Sequence, residues 1–241
     1  MKRMIAGCLT ALVLFVGLGG TYYYFRGQQF IATMATVEPP AQTGLLLIID
    51  PGHGGLDGGA VSLTGVDESE INLAIALRLE ALAALYGLPT EMTRRTMELD
   101  YPADANTIRA KKVADTRARV ALINNAENAV VLSIHQNTYD GPNASGPQVL
   151  FAETERSVEF AQIMQDALTV GLGLERPRTP TRVPRDVFLM NHINPPAILV
   201  ECGFLSNPRE EELLRTDVYQ LKLAGTLLAG YIQAMELLRS T

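Results

Sequence analysis

The sequence predicts an α/β fold: a single three-layer domain with a mostly parallel central sheet flanked by helices, preceded by one N-terminal transmembrane helix. Short apolar runs typical of buried strands alternate with longer segments whose apolar residues recur at helical spacing, which predicts the layers. A long N-terminal stretch without charged side chains predicts the membrane helix. The 241 residues are 47% apolar, enough for one packed domain and incompatible with wholesale disorder.

The N-terminal stretch is a candidate membrane anchor. Residues 4–25 contain no Lys, Arg, Asp or Glu, and a helix of this length covers roughly 30 Å, the hydrocarbon thickness of a bilayer. Lys2 and Arg3 precede it, which favours a cytoplasmic N-terminus and a body outside the cytoplasm. We therefore expect a single-pass protein of the cell membrane. The alternative is a cleaved signal peptide, which would make the protein secreted, but bulky aromatic residues at 22–25 replace the small residues that cleavage requires.

The predicted domain organisation has three parts. Residues 1–25 form the anchor or signal peptide. Residues 26–44 form a linker, because Pro39, Pro40 and scattered Thr, Gln and Gly replace any apolar periodicity. Residues 45–241 form the folded body.

The first half of the body contains two strands and two helices. Residues 45–49 are a short continuous apolar run, which predicts a strand buried on both faces. Residues 70–85 repeat apolar side chains at helical spacing and are followed by a glycine and a proline, which predicts a helix. A helix rich in Arg, Lys and Ala is predicted around 105–126, and a second buried strand over 130–134.

The second half continues the alternation. We predict a strand over 148–152, a helix over 155–172, a central strand over 197–200 and a final helix over about 217–238. The final helix is expected to bury one apolar stripe, made of Val218, Leu221, Leu228, Ile232 and Met235.

Polar residues follow three of the strands. The first strand opens into the glycine-rich stretch 50–60, the second ends in residues 133–137, and the strand at 197–200 runs into Glu201. Because ligands of open α/β sheets bind beyond the carboxyl ends of the strands, we expect these turns to share one crevice. The glycines do not fit a dinucleotide loop, since Asp57 replaces the third glycine and its charge opposes a pyrophosphate. A net charge of −6 likewise argues against a nucleic-acid partner.

The residue types in this crevice indicate a zinc site. The chain has 3 histidines, and His53 and His135 both follow buried strands. Together with Glu70 they supply the three-ligand set that catalytic zinc uses, and Glu201 would act as the general base. Alternatives stay open from the residues alone: a histidine can be a hydrogen-bonded core residue, and Glu70 can simply favour the dipole of its helix. Glu201 closes an apolar strand and therefore needs a partner.

Asp57 and Cys202, which lie near the predicted zinc residues in sequence, also have two interpretations each. Asp57 either orients a metal ligand or forms a turn. Cys202, next to Glu201, suggests a cysteine hydrolase. However, alternation along an extended segment directs Cys202 away from Glu201, toward the core.

Four stretches of the body carry a family resemblance: DPGHGGLDGGA at 50–60, Glu70, SIHQN at 133–137 and ILVECGFLSNPREEELL at 198–214. Together they resemble the zinc-dependent N-acetylmuramoyl-L-alanine amidases, in order and spacing over about 45–238. The resemblance implies Zn2+ bound by His53, Glu70 and His135, with Glu201 as the catalytic glutamate. It also implies hydrolysis of the amide between the lactyl group of muramic acid and L-alanine in peptidoglycan.

The short domain behind one anchor is further similar to the germination-specific amidases of spore formers. That similarity implies a role in forming the muramic δ-lactam of spore cortex. The expected partners are peptidoglycan as substrate and the membrane through the N-terminal helix; an unidentified protein activator is a further candidate that the sequence does not show. Two alternatives remain: a catalytically silent wall-binding or regulatory module on the same fold, and a zinc peptidase acting on stem peptides.

Overall fold

The computed structural model describes residues 44–141 and 143–239. They belong to one compact unit, residues 40–241. The predicted anchor at 1–25 and nearly all of the predicted linker at 26–44 lie outside the described residues. Within the described part of the chain, no helix combines the length and the apolar character that a membrane span needs.

Strands and helices alternate along the body, as the sequence predicts. The strands are β1 (Leu46–Pro51), β2 (Thr90–Met92), β3 (Ala129–Asn137), β4 (Gln148–Phe151), β5 (Thr181–Arg182) and β6 (Ala197–Phe204). The helices are α1 (Glu68–Leu85), α2 (Ile108–Asn125), α3 (Ser157–Leu172), α4 (Pro208–Leu214) and α5 (Asp217–Arg239), with a 3-10 turn at Leu189–Asn191.

The strands form one six-stranded sheet in the order β2-β1-β3-β6-β4-β5. Strands β2, β1, β3 and β6 pair in parallel, β4 is antiparallel to β6, and β5 is parallel to β4. The mostly parallel sheet is thus confirmed. The three strands predicted as buried apolar runs, β1, β3 and β6, are adjacent in its middle, where both faces are covered.

Helices cover both faces of the sheet. Helices α1, α3 and α5 pack over the larger core, which takes one alternate set of strand side chains such as Leu47, Leu132 and Val200. The opposite set, including Ile48, Val131 and Leu199, forms a smaller core under α2 and the 3-10 turn. Successive strand residues point to opposite faces of the sheet, so each continuous apolar run contributes side chains to both cores. This is the predicted three-layer arrangement.

The structure corrects the first part of the predicted stripe of the last helix. Leu228 and Met235 are buried and Ile232 packs against the core, as predicted, but Val218 is 82% exposed and Leu221 50% exposed, and Leu223, Leu227 and Tyr231 are buried instead. Apolar residues lie on more than one side of the first turns of this helix, and periodicity alone does not decide which of them is buried.

Four short elements had no sequence prediction: β2, β5, the 3-10 turn and α4. Only α4 carries a clear local signal, since Pro208 opens it and the side chain of Asn207 accepts hydrogen bonds from the first turn.

Candidate metal centre

The site lies where the smaller core ends. On the sheet face that carries Val131 and Leu199, the next side chains toward the carboxyl ends of β3 and β6 are polar. His135 is the register partner of Glu201, and Gln148 on β4 is the partner of Glu201 on its other side. We call His135, Glu201 and Gln148 the polar row. Register partners project from the same face of a sheet, so the row is a direct consequence of strand pairing.

His53 reaches the row from the loop after β1. Its backbone is left-handed, with φ of 61°, a conformation that a residue with a side chain adopts at a cost of about 1–3 kcal/mol. Its Nδ1 lies 3.0 Å from Oδ2 of Asp57, so Asp57 fixes the ring and leaves Nε2 facing the site. These contacts therefore favour the interpretation that Asp57 orients His53 over the one in which it only forms a turn. The hydrogen bond with His53 is the main cause of the lowered pKa of Asp57.

Glu68, at the start of α1, joins the two histidines. Its Oε2 lies 3.4 Å from Nε2 of His53, and its Oε1 lies 3.0 Å from Nδ1 of His135. The two imidazole rings are 4.9 Å apart, nearly perpendicular. Ligand atoms of these three residues all lie within 4.8 Å of one another, which makes them a potential metal-holding group among the described residues.

The predicted ligand Glu70 is corrected to Glu68. Glu70 is exposed on α1 and does not belong to the group, whereas Glu68 is buried. The reason is helical spacing. Ile71, Asn72 and Ile75 lie three, four and seven residues after Glu68 and are buried with it, so Glu68 shares the inward face of α1. Reading that stripe back by one turn from the apolar residues would have identified Glu68.

The group fits a zinc ion. Two imidazoles and one carboxylate are a donor set that catalytic zinc sites use, and two ligands of a tetrahedral zinc lie about 3.3 Å apart. The contacts of 3.0 and 3.4 Å, one to each oxygen of Glu68, are close to that spacing, and the three ligand atoms together lie within 4.8 Å of one another. Glycine makes the approach possible: a Cβ on Gly52 would lie 2.2 Å from the His135 ring, and one on Gly59 would lie 2.6 Å from Glu68 Oε2. The glycines of the 50–60 stretch thus surround side chains of the site.

Hydrogen bonds fix the carboxylate of Glu68. Asn72 Nδ2 and the backbone amides of Gln136 and Ala60 donate to it at 3.1, 3.0 and 2.9 Å. Burial alone would raise the pKa of Glu68, but the hydrogen bond and charge of His135, with His53 and the Ala60 amide, lower it to about 2. The group is held as a carboxylate, the form that binds a metal.

Glu201 has a different environment. It lies beside His135 on the polar row, and its Oε2 is buried without a hydrogen-bond partner. Burial, with a smaller contribution from the charge of Glu68, raises the pKa of Glu201 to about 7. Two carboxylates of one site therefore have opposite pKa shifts, a pattern typical of functional sites.

Buried arginines brace the base of the site. Asp50 accepts hydrogen bonds from Ser133 and Thr93 and pairs with Arg119 at 3.2 Å. Arg94 donates to the carbonyls of Pro51, Gly52 and Ser69, so one guanidinium connects the His53 loop to the first turn of α1. Sequence analysis did not place Arg94 and Arg119 at the site, because the groups that they contact are distant in the chain.

Cys202 belongs to the larger core. It is 1% exposed on the opposite face of β6, and burial raises the pKa of its thiol. A thiol in that position has no access to the site. The prediction that Cys202 points into the core is confirmed, and the cysteine-hydrolase alternative is contradicted.

Comparisons with known proteins agree with the geometry. The family model described as N-acetylmuramoyl-L-alanine amidase matches residues 47–233. The germination-specific N-acetylmuramoyl-L-alanine amidase of Bacillus subtilis is 33% identical over 195 residues, which cover 79% of this chain and 80% of that protein. The AmiA amidase of Escherichia coli is 25% identical over 216 residues, 78% of this chain and 75% of that protein.

Solved structures give the same result. The CwlD amidase from Clostridioides difficile, in complex with the GerS lipoprotein, has a TM-score of 0.76 and 31% identity and covers 80% of this chain and 99% of its own. An N-acetylmuramoyl-L-alanine amidase from Clostridium difficile 630 has a TM-score of 0.69 and 28% identity, with coverage of 81% and 98%. On its sequence, its sheet and its site, the chain belongs to the N-acetylmuramoyl-L-alanine amidase family.

Proposed function

We propose that this amidase is zinc-dependent and that it hydrolyses the amide between the lactyl group of muramic acid and L-alanine in peptidoglycan. The observation that supports the mechanism most is the pairing of a metal-holding group, His53, Glu68 and His135, with Glu201 on the adjacent strand, whose Oε2 is buried without a hydrogen-bond partner.

The three grouped side chains would hold the ion. When bound, zinc polarises a carbonyl and lowers the pKa of a water molecule toward about 7. Asp57 holds the ring of His53, and Asn72 and two backbone amides hold Glu68, so the ligands are fixed before any ion arrives.

Glu201 carries the proton transfer in this mechanism. Its carboxylate accepts a proton from the attacking water, and the resulting carboxylic acid donates that proton to the nitrogen of the leaving L-alanine. Burial raises the pKa of Glu201 in the metal-free chain, and the positive charge of a bound ion opposes that shift, which favours the carboxylate that accepts the proton. Among the described residues no protein group donates a hydrogen bond to Oε2, so no protein donor competes with the proton that the carboxylate accepts.

The two alternatives are separable. A catalytically silent module would not need the complete set His53, Glu68, His135 and Glu201, all of which are present in one crevice. A zinc peptidase acting on stem peptides would use the same centre and differ only in the bond that it cuts.

The setting of the activity is also proposed. We infer that residues 1–25 anchor the chain in the cell membrane, with residues 26–44 as a linker and the catalytic domain outside the cytoplasm. The similarity to germination-specific and CwlD amidases supports a role in spore cortex, including formation of the muramic δ-lactam. Because the CwlD structure contains the GerS lipoprotein, a protein partner for this chain is part of the proposal.

Product analysis tests the activity. The purified full chain, loaded with zinc, is incubated with peptidoglycan, and mass spectrometry identifies the sugar and peptide products. We expect intact lactyl-muramic acid and peptides with a free L-alanine N-terminus, and no release after zinc is removed by chelation. Peptides cut at internal bonds would support the peptidase instead, and no product with bound zinc would support the silent module.

A further inference from the structure

We propose that Arg178, at the β4 end of the polar row, binds a carboxylate of the substrate's peptide. The proposal rests on the proposed function and extends it from the bond that is cut to the part of the substrate that is recognised. Arg178 precedes β5, on the opposite side of Glu201 from the metal-holding group.

Strand register places Arg178 next to the catalytic centre. Gln148 is the register partner of Glu201, so its side chain projects from the same face of the sheet. The side-chain amide of Gln148 donates to the Thr179 carbonyl at 2.8 Å, and its Oε1 accepts a long hydrogen bond of 3.5 Å from Arg178. The row therefore continues from His135 through Glu201 and Gln148 to a guanidinium.

Aromatic and backbone contacts hold this guanidinium in place. Its Cζ lies 5.2 Å from the centroid of the Phe204 ring, at the end of the strand that carries Glu201, and Nη2 donates to the Ser145 carbonyl at 2.9 Å. Arg178 is half-buried and has more N–H groups than these contacts use. A fixed guanidinium with remaining donors is suited to a carboxylate, which accepts paired hydrogen bonds.

Other cations around the site already have partners. Lys112 pairs with Asp57 at 2.6 Å, Arg119 pairs with Asp50 and Asp115, and Arg94 is occupied by backbone carbonyls. Within residues 44–141 and 143–239, Arg178 has no carboxylate at ion-pairing distance, unlike Arg182, which contacts Glu153 at 2.5 Å.

The charge of the site is a second argument for a cation at this position. Asp50 and Asp57 are paired with Arg119 and Lys112, but Glu68 and Glu201 add negative charge at this end of the sheet. A peptide carries at least its terminal carboxylate, which these groups repel. An unpaired guanidinium at the edge of the row offsets that repulsion for a chain extending from the scissile bond across Gln148.

The test compares one polymer in two charge states. Peptidoglycan is used as isolated and after its carboxylates have been converted to amides with a carbodiimide and ammonia. The rate of appearance of L-alanine amino groups is measured for the zinc-loaded full chain, for Arg178→Ala, for Arg178→Lys, and for Arg176→Ala as a matched control at an exposed position two residues away.

We expect the wild type to cleave the native polymer faster than the amidated one. Arg178→Ala should slow cleavage of the native polymer by about 10- to 100-fold and nearly abolish the preference, because one charge-assisted pair is lost. Arg178→Lys should keep part of the preference, and Arg176→Ala should match the wild type. Melting temperatures of all variants show whether the fold is kept.

Other outcomes overturn the proposal. Equal losses on both polymers would mean that Arg178 only braces the backbone at Ser145. Equal wild-type rates on the two polymers would mean that no carboxylate is recognised, although the amidase activity would stand. No release from either polymer by the wild type would overturn the proposed function and this proposal with it.

Discussion

Replacing Glu201 with Gln tests whether Glu201 transfers protons while His53, Glu68 and His135 hold the metal. The amide keeps the shape of the side chain but cannot accept a proton from water. Because Glu201 lies outside the grouped ligands His53, Glu68 and His135, zinc content should stay close to one ion per chain. Turnover on peptidoglycan should fall by roughly 10²–10⁴-fold, the usual contribution of general acid–base catalysis.

The same change should stabilise the metal-free protein. A carboxyl with a pKa of about 7 when folded, against its ordinary value of 4.5, lowers the free energy of unfolding by about 3 kcal/mol once it is ionised in both states. That cost is fully present above the folded pKa and disappears as pH falls below the unfolded pKa. Glu201→Gln should therefore raise the urea midpoint of the zinc-free chain at about pH 8, by up to that amount, and much less at about pH 4.

Three measurements on one variant decide the matter: zinc content, hydrolysis rate, and urea unfolding at the two pH values. Glu70→Gln is the matched control, since it removes an exposed carboxylate from α1, and it should leave all three unchanged. Near-normal hydrolysis by Glu201→Gln would refute the general-base role. Loss of zinc together with stability would mean that Glu201 is a fourth ligand in a closed structural site.

Three further predictions follow from contacts around the site. Glu68→Gln should lose most of the zinc measured by atomic absorption while Glu70→Gln retains it; the reverse result would reinstate the residue chosen from the sequence. Gly59→Ala should also lower zinc affinity, measured by competition with a chelator, because the new Cβ would lie 2.6 Å from Glu68 Oε2 at a backbone φ of 72°. Unchanged affinity would mean that the loop shifts to accommodate the methyl group without moving Glu68. Asp50→Asn should destabilise the chain by about 3 kcal/mol in urea near neutral pH, since it leaves Arg119 without a buried partner. Burial alone would raise the pKa of Asp50, but Arg119, Ser133 and Thr93 hold it below its ordinary value of 3.8. The stabilisation by Asp50 is therefore present above that pH and is lost as pH falls through the folded pKa. A stability difference between wild type and Asp50→Asn that is as large at acidic pH as near neutral pH would contradict this.

The fold was predictable where burial dominates the sequence. The central strands β1, β3 and β6 are continuous apolar runs because both faces of the sheet are covered, and that signal is strong in a single sequence. Short elements at the edges, β2 and β5, have three and two residues and are half-buried or exposed over most of their length. Their pairing depends on neighbours that are distant in the chain, so local sequence carries little information about them.

The site was predictable from strand ends but not from the helix. His53, His135 and Glu201 follow apolar strands, and parallel pairing brings such ends together. Glu68 and Glu70 both lie in the first turn of α1, and only the phase of the helix decides which of them faces inward. Arg178 was unpredictable for another reason: its position depends on the antiparallel register of β4 with β6.

The sheet order has a consequence for when the enzyme becomes active. Strand β6 comes late in the chain, yet it occupies the gap between β3 and β4, which are neighbours in sequence. Until β6 inserts, β3 and β4 have no shared partner, and Glu201 is not opposite His135. A nascent chain that lacks residues beyond about 197 therefore has His53 and His135 but not Glu201. For an amidase of this family, this topology makes hydrolysis depend on nearly complete synthesis and folding of the chain.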